Sequence, residues 1–489
     1  MSTVRRSLLY TLADSYFGVV LQLVSTFVLS RLLSPTEIGI FAVAAVFAAL
    51  ASTFRDFGVA EYLIQVKDLT RQKIAAAFTA NLVVSWLMAV LLLGMSSIVG
   101  DFYGQVGVGQ VIRVQALSFL LIPFGAVTIA YFRRELNYKP VFIAGALANL
   151  ASFGVAVGGA LAGWGYIALA WSSFAGVAVN VLVSMLFRPK DFPLLPSFKG
   201  IGEVIHFGKY ASGIYLFGQL GKSAPEAVIG RLLDMPSVAY YSRGNGLLEM
   251  FNRLVLRAVM PVCLPYFSKA AREGKSTADG FVSASALITG IGWPFLFFVG
   301  LFAYSAINLL YGPQWTQAIL LAQILCLAAI TELPYYLAGE VLIAIGRVDK
   351  SNRLQFVTQG TRIASLALVI PFGLAGACVG LVVASLINLF VSHYFLKLSI
   401  GLQLPGILSA HAKSACVAGA TALPALAFNT FVGQNSQNYA WGLFGMGALT
   451  AITWLIALWG LRHPLWLELA YSLKKAGVSL PEVLSRTRA

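Results

Sequence analysis

The sequence predicts an all-α integral membrane protein of about fourteen transmembrane helices. They form two parallel six-helix lobes around a central cavity, with two extra helices after them. Three observations predict this fold. The first is composition: 58% of the residues are hydrophobic and only 11% are charged. Ordinary globular chains carry about a quarter charged residues, so a core hidden only from water is excluded. The second is the number of apolar runs long enough to cross a bilayer. The third is an echo. "SRLLSPTEIGIF" (30–41) returns as "GRLLDMPSVAYY" (230–241), with Arg31 and Arg231 each opening an Arg-Leu-Leu between two apolar helices. A chain that restarts after about 200 residues reads as an internal duplication.

The first two spans cover 8–30 and 37–55; the first carries Asp14, Gly18, Gln22 and Ser25 on one face, and the second has no charge between Ile38 and Phe54. After the basic "QVKDLTRQK" come 74–99 and 111–132, the latter closed by Arg133 and Arg134. Runs 141–162 and 164–187 are parted only by "AGWG". The Pro/Gly-rich "FRPKDFPLLPSFKGIGEV" (187–204) then reads as a linker. The second set comprises 205–232, 236–261, 281–304, 316–345, 354–372 and 373–396. "GWGYIALAWSSF" closes the first set where "GLAGACVGLVVAS" stands in the second. Runs 412–432 and 440–461 complete the membrane part. The expected domains are therefore 1–190, a linker at 191–204, a second lobe at 205–400, two helices at 401–461 and a basic tail at 462–489, read as an interfacial amphipathic helix. Six spans per lobe bring both lobes into the membrane from the same side.

The net charge of +15 has a topological source. Most Lys and Arg residues sit in the tails and alternate loops, from Arg5 and Arg6 through Lys67, Arg188, Lys269, Arg347, Lys350, Arg353 and Arg362 to Arg486 and Arg488. The opposite loops, such as "YGQVGVGQ" and "VGQNSQN", have almost none. Positive residues stay cytoplasmic, which places both termini on the cytoplasmic side of the membrane and removes nucleic acid as a partner. Attraction to anionic membrane lipids is a by-product. No cleavable signal peptide and no phosphate-binding Gly-x-x-x-x-Gly-Lys loop are present, so no ATP site is expected in the chain. Cys263, Cys326, Cys378 and Cys416 stand singly, as small core hydrophobes. His206, His393, His411 and His463 lie near helix ends without metal spacing, and no cofactor or metal is expected.

Charges inside the membrane carry the functional reading. In "MPSVAYYSRGNGLLEMFNRLVLRAVMP" (235–261), an unbroken helix puts Arg243, Glu249, Arg253 and Arg257 in a sector of about 120°. Each charge facing lipid at mid-membrane costs roughly 2.5–3.5 kcal/mol, against about 0.3–0.6 returned by each Leu or Val, so the stripe faces water or protein. The preceding span agrees: Ser212, Gln219, Lys222, Ser223 and Glu226 share one side. Lys222 and Glu226 are an i, i+4 pair, and Pro225 kinks the helix between them. Glu61, Arg113, Glu332 and Glu340 are further candidates. The charges admit two readings. One is an internal salt network of Glu226 and Glu249 with Lys222 and Arg253. The other is a water-filled cationic cavity in which Lys222, Arg243, Arg253 and Arg257 grip an anionic headgroup, Arg offering a forked pair of donors to phosphate. Four cations against two carboxylates favour the cavity. If Na+ or H+ is exchanged, a buried carboxylate must release it, with Asp14 and Glu226 the candidates.

"RLLSPTEIGIFAVAAVFAALASTFRDFGVAEYLIQVKDLT" (31–70) resembles the opening of the bacterial polysaccharide transporters. These are lipid-linked oligosaccharide flippases of the multidrug/oligosaccharidyl-lipid/polysaccharide exporter superfamily. The matching residues are Arg31-Leu-Leu, Pro35, Glu37-x-Gly39 and Asp56-Phe-Gly58. The resemblance implies two lobes in a V. They would carry an undecaprenyl-diphosphate-linked repeat unit to the periplasmic leaflet by alternating access, for exopolysaccharide or lipopolysaccharide synthesis. Polymerase and export proteins would act downstream. The family has no strict catalytic motif, so the cations named above rest on the stripes. Fourteen spans and a cationic cavity also fit a peptidoglycan-precursor lipid flippase. A drug/cation antiporter of the same superfamily would want an acidic, aromatic cavity. A membrane-embedded polymerase would need acid/base groups in a sizeable outer loop, which the sequence lacks, so the chain is not read as an enzyme.

Overall fold

A computed structural model describes residues 3–56, 58–190, 192–193, 195–431 and 439–475. Among them every regular element is helical, and the chain divides into two compact units, Met1–Ala239 and Tyr240–Ala489. The membrane helices of the first unit are α1 (Thr3–Leu32), α2 (Pro35–Arg55), the short α3 (Val59–Gln65), α4 (Arg71–Phe102), α5 (Val106–Arg134), α6 (Tyr138–Leu161), α7 (Tyr166–Leu186) and α8 (Ile201–Leu232). The boundary falls early in α9 (Met235–Phe251). The second unit continues with α10 (Arg257–Arg272), α11 (Thr277–Leu301), α12 (Ala303–Leu310), α13 (Gln317–Glu332), α14 (Ala338–Ala344), α15 (Val348–Val369), α16 (Gly373–Ile400), α17 (Leu404–Phe431), α18 (Tyr439–Gly460) and α19 (Pro464–Lys475).

Ten helical stretches among the described residues are long and apolar enough to cross a membrane, which makes this a multi-pass membrane protein. The expected count of about fourteen is higher for physical reasons. One stretch, Val348–Ile400, joins α15 and α16 across a 3-10 turn at Ile370–Phe372. Runs 205–232, 236–261 and 412–432 are not among the ten. Run 316–345 bends at a 3-10 turn (Leu333–Tyr335) holding Pro334, between α13 and α14, yet Gln317–Ala344 still counts as one stretch. The expected helix 236–261 is interrupted by a π turn at Asn252–Leu256, beyond which α10 runs on to Arg272. The basic tail beyond residue 475 lies outside the described residues.

In the first unit, α2 starts at a capping box: Ser34 N–H donates to Glu37 Oε2 at 2.8 Å, and Glu37 N–H donates to Ser34 Oγ at 3.4 Å. Gly58, at φ 67°, supplies the left-handed residue that ends this segment and lets α3 turn away. The carbonyls at the end of α3 are collected by one guanidinium. Arg134 donates to Leu63 O at 2.7 Å, Val66 O at 2.6 Å and Lys67 O at 3.2 Å. The linker is not loose. Phe192 packs its ring 4.8 Å from that of Tyr131, Ser197 N–H donates to Thr79 Oγ1 at 2.7 Å, and Tyr62 O–H donates to Glu203 Oε2 at 3.1 Å. These join a buried cluster around Val59, Leu63, Phe78 and Val127.

A close seam runs between α2 and the α8–α9 turn. A Cβ on Gly39 would lie 1.9 Å from the Met235 carbonyl oxygen, and one on Gly230 would lie 2.7 Å from Val43 Cγ2. Tyr103 O–H donates to Ala227 O at 3.1 Å, and Arg231 stacks 4.8 Å over the Phe102 ring. The two motifs whose echo marks the sequence thus reach each other's helices in this unit.

In the second unit, α17 and α19 are fastened to α11 by a buried polar chain. Leu465 N–H donates to His463 Nδ1 at 3.1 Å, which leaves Nε2 as the donor to Ser414 Oγ at 2.9 Å. Thr289 Oγ1 meets Ser414 Oγ at 3.0 Å, and His411 Nε2 meets Ser285 Oγ at 3.0 Å. Trp454 Nε1 donates to Gly290 O at 2.9 Å, while the His463 ring fills the space a side chain on Gly290 would need. Burial, with Lys413 and His411 of α17 beside it, holds the His463 pKa down to about 4. The unfolded value is about 6.5. Between these values the unfolded chain takes up a proton that the folded chain refuses. Stability is therefore full above about pH 6.5, falls as the pH drops toward 4, and levels off below. The melting temperature of the purified protein in detergent should decline across that window, and His463→Gln should flatten part of the decline.

Candidate functional site

The helices α2, α3, α5, α6 and α7 line an open cavity of about 480 Å³ within the first unit. Small residues shape it. A Cβ on Gly125 would lie 3.2 Å from Val181 Cα, and one on Gly176 would lie 3.3 Å from Ser152 Cβ, so α5, α6 and α7 approach closely there. Polar groups line the space that remains: Arg55, Arg133, Asn149, Ser152, Ser173 and Asn180. Arg55 is largely neutralised, its Nε donating to Asp56 Oδ1 at 3.0 Å. Arg133, exposed and close enough to Asp14 to feel its charge, makes no hydrogen bond among the described residues. The size suits a small polar headgroup, and the lining suits one with both an anionic and a hydroxyl-bearing part.

Asp14 stands behind this wall. A Cβ on Gly145 of α6 would meet its Oδ1 at 2.7 Å, and one on Gly18 would lie 3.4 Å from Asn149 Nδ2. The polar face expected on α1 therefore packs on α6 at Asp14 and Gly18, and Asn149 connects that contact to the cavity. On α8, Lys222 is exposed and Glu226 half-buried one turn on, while Gln219 Nε2 donates to Ser223 Oγ at 2.8 Å.

In the second unit the Arg243 guanidinium lies 5.5 Å from the Tyr311 ring centroid and 5.2 Å from that of Trp315, both rings being buried. Glu249 accepts from Asn252 Nδ2 at 3.3 Å. Arg253 sits on the π turn, and the Arg257 side chain lies outside the described residues. The single-face reading of these charges assumed a continuous α-helix. A π turn takes in about one extra residue, which rotates the residues beyond it by about 100°. Arg243 and Glu249 keep their phase, Arg253 lies inside the turn, and Arg257 beyond it is rotated away.

Three cations near the ends of the apolar runs or read among the loops, Arg55, Arg133 and Arg362, stand on helices. Arg55 and Arg133 line the cavity. Arg362 lies in α15, roughly 21 Å along from Val348 at 1.5 Å per residue. The unused signal was the amide and hydroxyl residues inside apolar runs, Asn149 in "ANLASFG" and Asn180 in "VAVNVLV". Arg113, the other candidate on α5, donates to Ser96 Oγ at 3.0 Å and to Ser97 Oγ at 2.7 Å on α4.

Residues 28–320 match the family model described as "Polysaccharide biosynthesis protein". The chain is 24% identical over 386 residues to the lipopolysaccharide biosynthesis protein WzxC of Escherichia coli (strain K12), covering 76% of this chain and 77% of that protein. It is 23% identical over 464 residues to the probable low-salt glycan biosynthesis flippase Agl15 of Haloferax volcanii, covering 92% and 95%. Among solved structures it is similar to the lipid II flippase MurJ in an inward closed conformation, with a TM-score of 0.72 at 13% identity over 92% of this chain and 98% of that one.

Proposed function

Since this chain belongs to the polysaccharide biosynthesis protein family of flippases, we propose that it moves an undecaprenyl-diphosphate-linked oligosaccharide repeat unit from the cytoplasmic to the periplasmic leaflet. It is a membrane transporter of polysaccharide biosynthesis and not an enzyme. The observation that carries the finer reading is the cavity in the first unit. Arg133 supplies charge for a diphosphate, Arg55 stays paired with Asp56, and Asn149, Asn180, Ser152 and Ser173 supply hydrogen bonds for a sugar. Lys222 in the first unit and Arg253 and Arg257 in the second are further cations for the diphosphate, and Arg243 is held against two aromatic rings. Asp14 and Glu226 are the carboxylates available for Na+ or H+ exchange, and Glu249 tempers the cations of α9.

Alternating access of two six-helix lobes with cytoplasmic termini supplies the movement. Outward transfer of an anion runs with an inside-negative potential, worth roughly 2.3 kcal/mol per charge per 100 mV. The test is a deletion strain. Lipid-linked repeat units should accumulate on the cytoplasmic face, surface polymer should vanish, and the intact gene should restore it. Normal polymer in the deletion strain would overturn the reading.

A further inference from the structure

Helix α15 carries a polar face that the cavity does not use. Gln355, Gln359 and Arg362 fall within about 60° of one another, while Phe356, Val357, Ile363 and Leu368 are exposed on the other side. Within the second unit this helix packs on α16. Two amides there share one peculiarity. Gln359 Nε2 donates to Gln355 Oε1 at 3.4 Å, and Asn388 Nδ2 of α16 donates to Thr358 O at 3.2 Å. Their carbonyl oxygens, Gln359 Oε1 and Asn388 Oδ1, are buried and accept no hydrogen bond among the described residues. Turning either amide over would sacrifice the donor contact that anchors it. Burying an acceptor without a partner is unfavourable, so the fold holds two acceptors ready for a donor.

We propose that Gln359 and Asn388 form a subsite for sugar hydroxyl groups, which reads the glycan part of the transported lipid. This rests on the flippase reading above. The chemistry selects the ligand. Carbonyl oxygens repel phosphate and carboxylate, so the diphosphate does not belong here. A metal cation is opposed by Arg362 on the same face of α15. A neutral polyol offers O–H donors at close spacing and meets neither objection. The carrier lipid and its diphosphate are common to many glycans, so contacts with hydroxyl groups are where selectivity among repeat units has to arise.

The experiment uses the full chain in detergent and native mass spectrometry. The probes are the lipid-linked saccharides extracted from the native host and undecaprenyl diphosphate alone. The unsubstituted protein should bind the glycosylated pool about tenfold or more tighter than the bare carrier. Gln359→Met with Asn388→Leu, apolar replacements of similar volume, should bind both probes alike, with an unchanged melting temperature. Gln359→Glu, which still accepts, should keep the preference. The proposal is overturned if the double variant retains the preference, or if the unsubstituted protein shows none. It is also overturned if that preference disappears when choline replaces sodium. Binding of neither probe by the unsubstituted protein would instead overturn the flippase reading itself.

Discussion

Arg133→Ala should lower repeat-unit translocation by about 10- to 150-fold while leaving the protein folded. The range is the loss of one hydrogen bond to a charged group, about 1.5–3 kcal/mol, converted at 1.36 kcal/mol per decade. The fold should survive because the Arg133 side chain is exposed and makes no hydrogen bond among the described residues. Arg133→Lys should recover part of the activity, since charge remains but the planar fork does not. Arg55→Ala should be milder, because Asp56 is largely exposed and stays solvated without its partner. The measurement is surface polymer and accumulated lipid-linked intermediate in the deletion strain, at equal membrane protein levels. Arg253→Ala belongs in the same series. Full complementation by it would remove the π turn from the substrate path while leaving the cavity in place.

Gly39→Val should be the most damaging single change in the membrane part of the first unit. Its Cβ would overlap a backbone carbonyl, that of Met235, and a carbonyl cannot swing aside as a side-chain tip can. Overpacking of this kind costs typically 1–3 kcal/mol and more where backbone must move. Here the movement would part α2 from the start of α9. Lower thermal stability and loss of polymer are expected together. Gly94→Val is the control: Gly94 lies in α4 with nothing within 4 Å of where its Cβ would be, so the same substitution should be close to neutral there. Equal damage at both positions would mean that the seam is not special.

The helical membrane fold was legible because apolar runs report burial in lipid directly. The turn between Leu232 and Met235 falls where the pattern suggests. Breaks inside long runs were not legible. Hydropathy is blind to a π turn at Asn252–Leu256 or a 3-10 turn at Pro334, since neither changes the average polarity. The cavity was not legible. Lys222 and Glu226 announce themselves as charges amid apolar neighbours but are not among the residues that line it, whereas Arg55 and Arg133, which are, end their helices and look like ordinary loop cations. Distinguishing a cation that faces a cavity from one that faces cytosol requires knowing which helices converge. Only close packing at Gly125 and Gly176 supplies that, through contacts distant in sequence.

The wide turn at Asn252–Leu256 also bears on how relatives are compared with this chain. In an alignment such a turn behaves as a one-residue insertion without a loop to absorb it. A relative whose corresponding helix is regular would pair residue for residue up to Phe251 and then slip. Identical letters beyond Leu256 would point to different neighbours, and unlike letters to the same ones. A gap of a single position, placed inside a membrane helix where alignment scoring least favours it, is what restores spatial equivalence for Arg257 and all of α10.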